Sequence, residues 1–330
     1  MEKIEFGARQ AVKTCMNILS TDNVIIVTDK ETKPISDYLE DECKKITKNV
    51  KSFVLENFGE RPLTFLPKKI EEAIKQSTAV FYTAQSKHGE KVSLRMPIIR
   101  LGTIKGRQAH MPGITKELME TGMLTDYSEI KKMSKKVFDI VKNAKEIKVT
   151  TKLGTNFTAT FNKDWNWIIC DGDISNSKTK WSNLPDGEVF TCPLNLSGTI
   201  IADGSIGDHF HKHNPLEKYP ITLEVKDCIV KKISCNNKEI EEELNEYILQ
   251  DNNASRIGEF AIGTNLGLKE LTGRLLQDEK FPGVHIALGD SYPNETNAPF
   301  PSKAHCDLVI KDTTIIVDNK IIMKDGKFLI

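Results

Sequence analysis

A chain of 330 residues with 46 Lys and Arg against 46 Asp and Glu is long enough for two domains, and its balanced charge excludes a strongly basic nucleic-acid-binding protein. No apolar run approaches the roughly 20 residues that a membrane-spanning helix needs, and the segment MEKIEFGARQ lacks the apolar core of a signal peptide. The seven cysteines form no CxxC pair, which argues against a disulfide framework or a zinc knuckle and favours a reducing cytoplasm.

Helix and strand patterns alternate through the first part of the chain. Apolar side chains at helical spacing predict three helices, at residues 5–19, 35–46 and 67–74. Short apolar runs bounded by polar residues predict three buried strands, at residues 22–29, 51–57 and 77–84. This alternation is typical of an open, mostly parallel sheet with flanking helices. No glycine-rich phosphate-binding motif follows any of these strands, so nothing in the pattern supports a nucleotide site.

The pattern changes after a long helix predicted at about residues 127–144. Residues 145–162 are typical of a β-hairpin, and more strand-like segments follow, interrupted by predicted helices at about 236–249 and 266–279. We therefore predict an α/β protein with two domains. The N-terminal domain, residues 1–145, is an open α/β sheet, and the C-terminal domain, residues 146–330, is rich in β-strands.

The most informative polar residues lie in apolar strand patterns near the end of the chain. In AHCDLVI, His305 and Asp307 are two residues apart, so their side chains project from the same face of a strand while Cys306 points into the packing. An imidazole beside a carboxylate can chelate a divalent cation. His285, in HIALG, reaches the same space if the two strands are neighbours. The Pro- and Asn-rich segment between them, residues 290–303, is predicted to be a loop over the site.

Two glutamates have similarly apolar surroundings: Glu188 in NLPDGEVFTCP and Glu259 in ASRIGEFAIGTN. Taken singly, each strand histidine is better explained as a hydrogen-bonded core residue, and each glutamate as a solvent-facing turn residue. Together they need a shared explanation, because a carboxylate inside a strand is costly unless it is paired or bound to metal. The combination predicts a divalent-metal site in the C-terminal domain.

These segments resemble the aminopeptidase T and aminopeptidase S metallopeptidases, a family often labelled leucyl aminopeptidase. LPDGEVFTCP is similar to the family's P-x-G-E-V-F-T-x-P, GEFAIGTN to G-E-x-A-x-G-T-N, and SKAHCD to S-x-x-H-x-D. HIALG is followed by Tyr292, as in the family, and DEK ahead of it aligns Glu279 with a family acidic pair. The chain is shorter than the family's aminopeptidases, which implies a compact lineage.

The resemblance implies a cytoplasmic homodimer whose chain has two domains. It also implies a site that binds two divalent ions (Zn, Co, Mn or Fe) and cleaves N-terminal residues from peptides through a metal-activated water. The metal ligands that it implies are Glu188, Glu259, Glu279, His285, His305 and Asp307. Glu259 would also move the proton of the water, and Tyr292 would donate a hydrogen bond to the oxyanion. Neither nucleic acid nor membrane is an expected partner; a peptide or small-molecule substrate is.

An alternative comes from a different class of chemistry. His285, His305 and Asp307 alone make the 2-His-1-carboxylate set of mononuclear iron(II) oxygenases, and the similar 2,5-dihydroxypyridine 5,6-dioxygenase looks to use such a set. A third alternative is a protein that binds metal without turnover.

Two other segments carry histidines. The alternate histidines of GDHFHKH would share a face if the segment were extended, and His110 of RQAHMPG is a candidate substrate contact.

Overall fold

The structure is a computed structural model that describes residues 2–330, except for the side chains of residues 208 and 209. The chain divides into two compact units. The first contains Met1–Lys131 and Asp171–Asp186, and the second contains Lys132–Cys170 and Gly187–Ile330. The domain boundary predicted at residue 145 stays a prediction. Among the described residues, no helix combines the length and the apolar character needed to cross a membrane.

Helices and strands alternate in the first unit and strands dominate the second. The α-helices are α1 (Lys3–Arg9), α2 (Lys33–Lys44), α3 (Lys68–Lys75), α4 (Met96–Lys105), α5 (Lys116–Met119), α6 (Tyr127–Val141), α7 (Lys238–Tyr247), α8 (Leu275–Asp278) and α9 (Pro293–Thr296). The strands are β1 (Val24–Thr28), β2 (Val50–Val54), β3 (Ala79–Tyr82), β4 (Arg107–His110), β5 (Glu146–Thr150), β6 (Asn156–Thr160), β7 (Ile168–Cys170), β8 (Trp181–Asn183), β9 (Glu188–Thr191), β10 (Asn195–Ala202), β11 (Ile221–Lys226), β12 (Ile229–Cys235), β13 (Ile257–Gly263), β14 (Gly283–Gly289), β15 (His305–Ile310), β16 (Thr314–Val317), β17 (Lys320–Lys324) and β18 (Lys327–Phe328). Short π-helical segments are Gln10–Cys15 and Lys91–Arg95, and 3₁₀ segments are Leu55–Asn57, Gly122–Leu124, Asp208–His213 and Leu216–Lys218.

The first unit is built on a parallel sheet with strand order β2-β1-β3-β4-β8. Every residue of β1 and β3 is buried, as expected for central strands of a parallel sheet that is covered on both faces. The helices between the strands supply that cover; for example, Ile70 and Ile74 of α3 join the core that contains Val80. The structure thus confirms the predicted open α/β sheet. The strand β8 comes from a segment that the sequence patterns did not associate with this sheet.

His110 ends β4 and lies almost completely inside the first unit. Its ring stacks on Tyr82 with centroids 5.2 Å apart, and Trp181 meets it edge-on at 6.1 Å. The guanidinium of Arg95 donates to its Nε2 from 3.3 Å. Burial and the charge of Arg95 hold the pKa of His110 well below its ordinary value, so the folded protein keeps this ring neutral. A role for His110 as a substrate contact stays a prediction.

The buried His110 should make stability depend on pH. The pKa of His110 is lower in the folded than in the unfolded state. Below about pH 6.5 the unfolded chain therefore binds a proton at His110 that the folded chain does not bind. The free energy of unfolding should decrease by about 1.4 kcal/mol for each unit by which the pH is lowered, for this one group. Urea unfolding between pH 7 and 5 should show His110→Gln losing stability less steeply than the parent by about that slope. The exposed His88, replaced by Gln, is the control and should keep the parental slope. Parallel stability curves for His110→Gln and the parent would contradict the assignment.

The second unit contains two antiparallel sheets around one core. The larger has strand order β12-β11-β10-β6-β5-β16-β17-β18, and the smaller has β15-β14-β13-β9-β7. Aromatic side chains join the two, as where Phe157 of β6 meets Phe260 of β13 with ring centroids 6.3 Å apart. The predicted β-rich unit and the hairpin at residues 145–162 are therefore confirmed, the latter as β5 and β6.

The helix predicted at 266–279 is wrong for most of its length, because only Leu275–Asp278 is helical. The residues before it form turns in which the Asp278 carboxylate accepts hydrogen bonds from the Thr272 backbone N–H at 2.9 Å and the Gly273 N–H at 2.8 Å. Gly273 has φ +74°, which a helix cannot contain. Apolar spacing alone did not reveal that this aspartate organises the backbone ahead of it.

Candidate metal centre

The register of the smaller sheet brings five predicted ligands to one face. Glu259 of β13 lies opposite Ala287 of β14, and Ala287 lies opposite Asp307 of β15, so these three side chains share a face. The remaining ligands occupy the same face by alternation: His285 two residues before Ala287, His305 two residues before Asp307, and Glu188 opposite Gly263. The opposite face carries Phe260, Ile262, Ile286, Leu288, Cys306 and Leu308, which belong to the core.

The carboxylate of Glu259 lies between the two imidazoles. Its Oε1 is 3.4 Å from Nε2 of His285, and its Oε2 is 3.7 Å from Nε2 of His305. Glu188 approaches His285 from the other side, with Oε2 3.5 Å from Nε2, and Asp307 approaches His305 with Oδ1 3.5 Å from Nε2. Each oxygen of Glu259 therefore faces a different histidine.

Two groups of candidate ligand atoms result, and they share Glu259. We call the group of Glu188, Glu259 and His285 position A, and the group of Glu259, His305 and Asp307 position B. Within each group the candidate ligand atoms lie within 4.8 Å of one another. A carboxylate that offers one oxygen to each of two positions has the form of a metal bridge.

The donor set fits a divalent cation. Imidazole nitrogens and carboxylate oxygens suit Zn, Mn, Co and Fe alike. Glu188 is only 7% exposed, and its Oε2 has no hydrogen-bond partner among the described residues although it faces the cluster. A buried carboxylate oxygen without a donor is costly, and a bound cation removes that cost.

The charges of the cluster act strongly on one another. Burial disfavours the ionised form of Asp307, but the adjacent His305 outweighs burial and holds the pKa of Asp307 at about 2. Burial also disfavours the imidazolium of His285, but its contact with Glu259 and the charge of Glu188 raise the pKa of His285 to about 9. The cation-free cluster therefore favours a protonated His285.

Glu279 directly follows the short helix α8 and is buried beside the cluster, outside both positions. Burial raises its pKa to about 7 despite the attraction of Lys280, and burial also raises the pKa of Glu259. These carboxyl groups hold protons more readily than exposed ones. Binding of a divalent cation should consequently release protons from the cluster.

Tyr292 completes the cluster from the loop after β14. Its hydroxyl is 3.2 Å from Nε2 of His305, the two rings lie 4.6 Å apart, and burial raises its pKa well above the ordinary value. The backbone of Tyr292 has φ 50°, a left-handed conformation that residues other than glycine rarely adopt. Such strain is common where a side chain is held for function, and here it aims the phenol at position B.

Lys280 is the residue that sequence reasoning missed. It is 1% exposed, and its Nζ lies 2.6 Å from Oε1 of Glu188 and 2.8 Å from Oε1 of Glu279. The charged run DEK gave no sign of burial, because lysine in such a run is usually solvated. Only the fold shows that this ammonium faces the carboxylates.

The segment GDHFHKH is not extended, because Asp208–His213 is a 3₁₀ helix, so the shared face that an extended strand would give does not form. The side chain of His209 lies outside the described residues. His213 pairs instead with Glu243 at 3.1 Å between Nε2 and Oε2.

The model of the thermophilic metalloprotease family (M29) matches residues 115–328. The chain belongs to this family. The match includes all six predicted ligands and Tyr292, and it confirms the predicted metal-dependent peptidase. Comparison with curated proteins gave no match.

Two solved structures share the fold over nearly the whole chain. Wild-type AmpT from Thermus thermophilus matches with a TM-score of 0.75 and 15% identity, covering 99% of this chain and 99% of that chain. The 2,5-dihydroxypyridine dioxygenase from Pseudomonas putida KT2440 matches with a TM-score of 0.71 and 16% identity, covering 100% of this chain and 98% of that chain. At these identities the likeness is one of fold, and the activity is argued from the family and from the site.

Proposed function

We propose that this M29 metalloprotease is an aminopeptidase that holds two divalent ions, one at position A and one at position B. The observation that carries the proposal is the placement of Glu259, whose two oxygens face different histidines. That arrangement supports a bridging carboxylate, and the ion could be Zn, Co, Mn or Fe. Glu188, Glu259, His285, His305 and Asp307 would be ligands. Glu279, which the resemblance also implies as a ligand, lies outside both groups and would act on them from beside the cluster.

Bound divalent ions supply a water of lowered pKa and polarise the peptide carbonyl. The remaining tasks fall to the side chains. Glu259 would accept the proton of the attacking water and pass it to the departing amine. Tyr292 stays protonated because burial raises its pKa, so its hydroxyl can donate to the oxyanion.

The dioxygenase alternative has one observation in its favour, the fold shared with 2,5-dihydroxypyridine dioxygenase. That chemistry would need His285, His305 and Asp307 to ligate one iron. The two histidines instead belong to different groups, each completed by Glu259. The number of carboxylates and their placement favour hydrolysis.

Metal analysis and activity assays of the purified protein test the proposed two-metal aminopeptidase. We expect about two equivalents of Zn, Mn or Co per chain by elemental analysis, and cleavage of leucyl-p-nitroanilide that stops after dialysis against a chelator and returns with metal. N-acetyl-leucyl-p-nitroanilide is the matched control and should resist cleavage, because an aminopeptidase needs a free amine. About one equivalent of iron with oxygen uptake on an aromatic diol would favour the dioxygenase instead.

We further propose that the protein works in the cytoplasm as a homodimer, as the family resemblance implies. No disulfide joins any of the seven cysteines, and six of them are buried, which suits a reducing compartment. Light scattering coupled to size-exclusion chromatography should give twice the chain mass; a monomer mass would contradict the dimer.

A further inference from the structure

Lys280 is fixed in place by its backbone as well as by its ion pairs. Its carbonyl accepts a hydrogen bond from the N–H of Asn265 at 3.0 Å. The following residue passes so close to β13 that a Cβ on Gly263 would lie 2.0 Å from the carbonyl oxygen of Phe281. Glycine at 263 is therefore required for this approach, and the approach sets the lysine against the sheet face that carries the ligands.

The ammonium of Lys280 acts on position A more than on position B. It bonds Oε1 of Glu188, a member of position A, and leaves that carboxylate a single oxygen, Oε2, facing His285. The charge of Lys280 also reaches Asp307 of position B, but there it acts through space and is the smallest of the charges that lower the pKa of Asp307. The phenol of Tyr292 lies beside His305 at this position. The two positions therefore differ in the charge that stands beside them.

This difference has a predictable effect on cation binding. A divalent ion at position A meets a Glu188 carboxylate that is already ion-paired with the Lys280 ammonium, and this positive charge weakens the attraction between the ion and the position. An ion at position B meets Asp307, on which the ammonium acts less strongly than on Glu188, and it shares Glu259. Position B should accordingly fill first, and position A should exchange more readily.

We propose that Lys280 is a built-in cation that makes the two metal positions unequal, with position B tight and position A weak. The inference rests on the proposed two-metal function. Lys280 is a positioning residue in this role, because it acts through Glu188 and Glu279. It also neutralises part of the carboxylate cluster when metal is absent, so it stabilises the metal-free fold.

The test is calorimetric titration of the metal-stripped protein with Mn²⁺ alone. The parent should show two dissociation constants at least about tenfold apart. Lys280→Met, which keeps the length and removes the charge, should bind the second ion at least about tenfold more tightly and narrow that gap. The metal-free variant should also melt at a lower temperature than the metal-free parent, whereas the loaded forms should melt closer together.

Two further variants make the outcome decisive. Lys280→Arg keeps the charge and should keep the gap, and Lys269→Met, at an exposed lysine, should bind as the parent does. If metal-free Lys280→Met does not fold, the loaded variant is prepared by refolding with Mn²⁺, and stepwise removal by a competing chelator replaces the titration. An unchanged gap in Lys280→Met, or two equal constants in the parent, would overturn this inference and leave the two-metal site standing. A parent that binds no Mn²⁺, Zn²⁺ or Co²⁺ would overturn the proposed function itself.

Discussion

Replacement of Glu259 by Gln should lower kcat for leucyl-p-nitroanilide by at least about a hundredfold, the lower range for loss of a general base. Gln keeps the shape of Glu but cannot accept the proton of the attacking water. It also replaces one of the two oxygens that face His285 and His305 by an amide nitrogen, which is not a metal ligand. We expect KM to change less than kcat, because the lost interaction belongs to the transition state.

The control for this substitution is Glu270→Gln, at an exposed position in the same unit. It should leave kcat unchanged. Metal content measured on the same samples separates loss of the base from loss of an ion. A Glu259→Gln protein that retains parental kcat would remove Glu259 from the mechanism.

His305→Ala should release the ion at position B and reduce activity to background while the fold survives. His305 supplies one of the two imidazoles, and loss of a ligand should exceed the 10- to 100-fold weakening that follows loss of a supporting residue. The fold should survive because the side chain of His305 is partly exposed at the first residue of β15, and its backbone N–H still donates to the Tyr247 hydroxyl at 2.9 Å.

Elemental analysis of His305→Ala should find about one ion per chain where the parent holds about two. Circular dichroism should superimpose on the parent. His88→Ala, at an exposed histidine, should keep both ions and full activity. Full metal content together with parental turnover in His305→Ala would rule out the ligand assignment.

Much of the site could be predicted because strand geometry is local. The two-residue spacing of His305 and Asp307 fixes a common face in any strand, and the structure places both on the same face of β15. Which strands are neighbours is not a local property. The meeting of Glu188 with His285 depends on β9 and β14 flanking β13, and the resemblance to a family supplied that information before the fold did.

The predictions that were wrong or incomplete concern residues whose structure depends on contacts distant in sequence. The turns at 266–274 carry apolar residues at helical spacing, but the Asp278 carboxylate binds their backbone N–H groups, a tertiary interaction that the spacing does not encode. Lys280 was missed for the same reason, because its burial depends on the backbone approach to Gly263. Both errors concern one segment, which runs from β13 to β14 beside the ligands.

The common face of β9, β13, β14 and β15 also limits how this protein can change during evolution. Deletion of one residue within β14 would turn His285 toward the hydrophobic core and Ile286 toward the carboxylates. A change in the length of these strands would therefore abolish metal binding and activity. The loop at 290–304 leaves the sheet after Gly289 and returns at His305, which pairs with Gly289, so the strand register fixes both ends of the loop. Diversification of substrate choice among descendants should therefore accumulate in that loop, as insertions and exchanges that leave the strand lengths untouched.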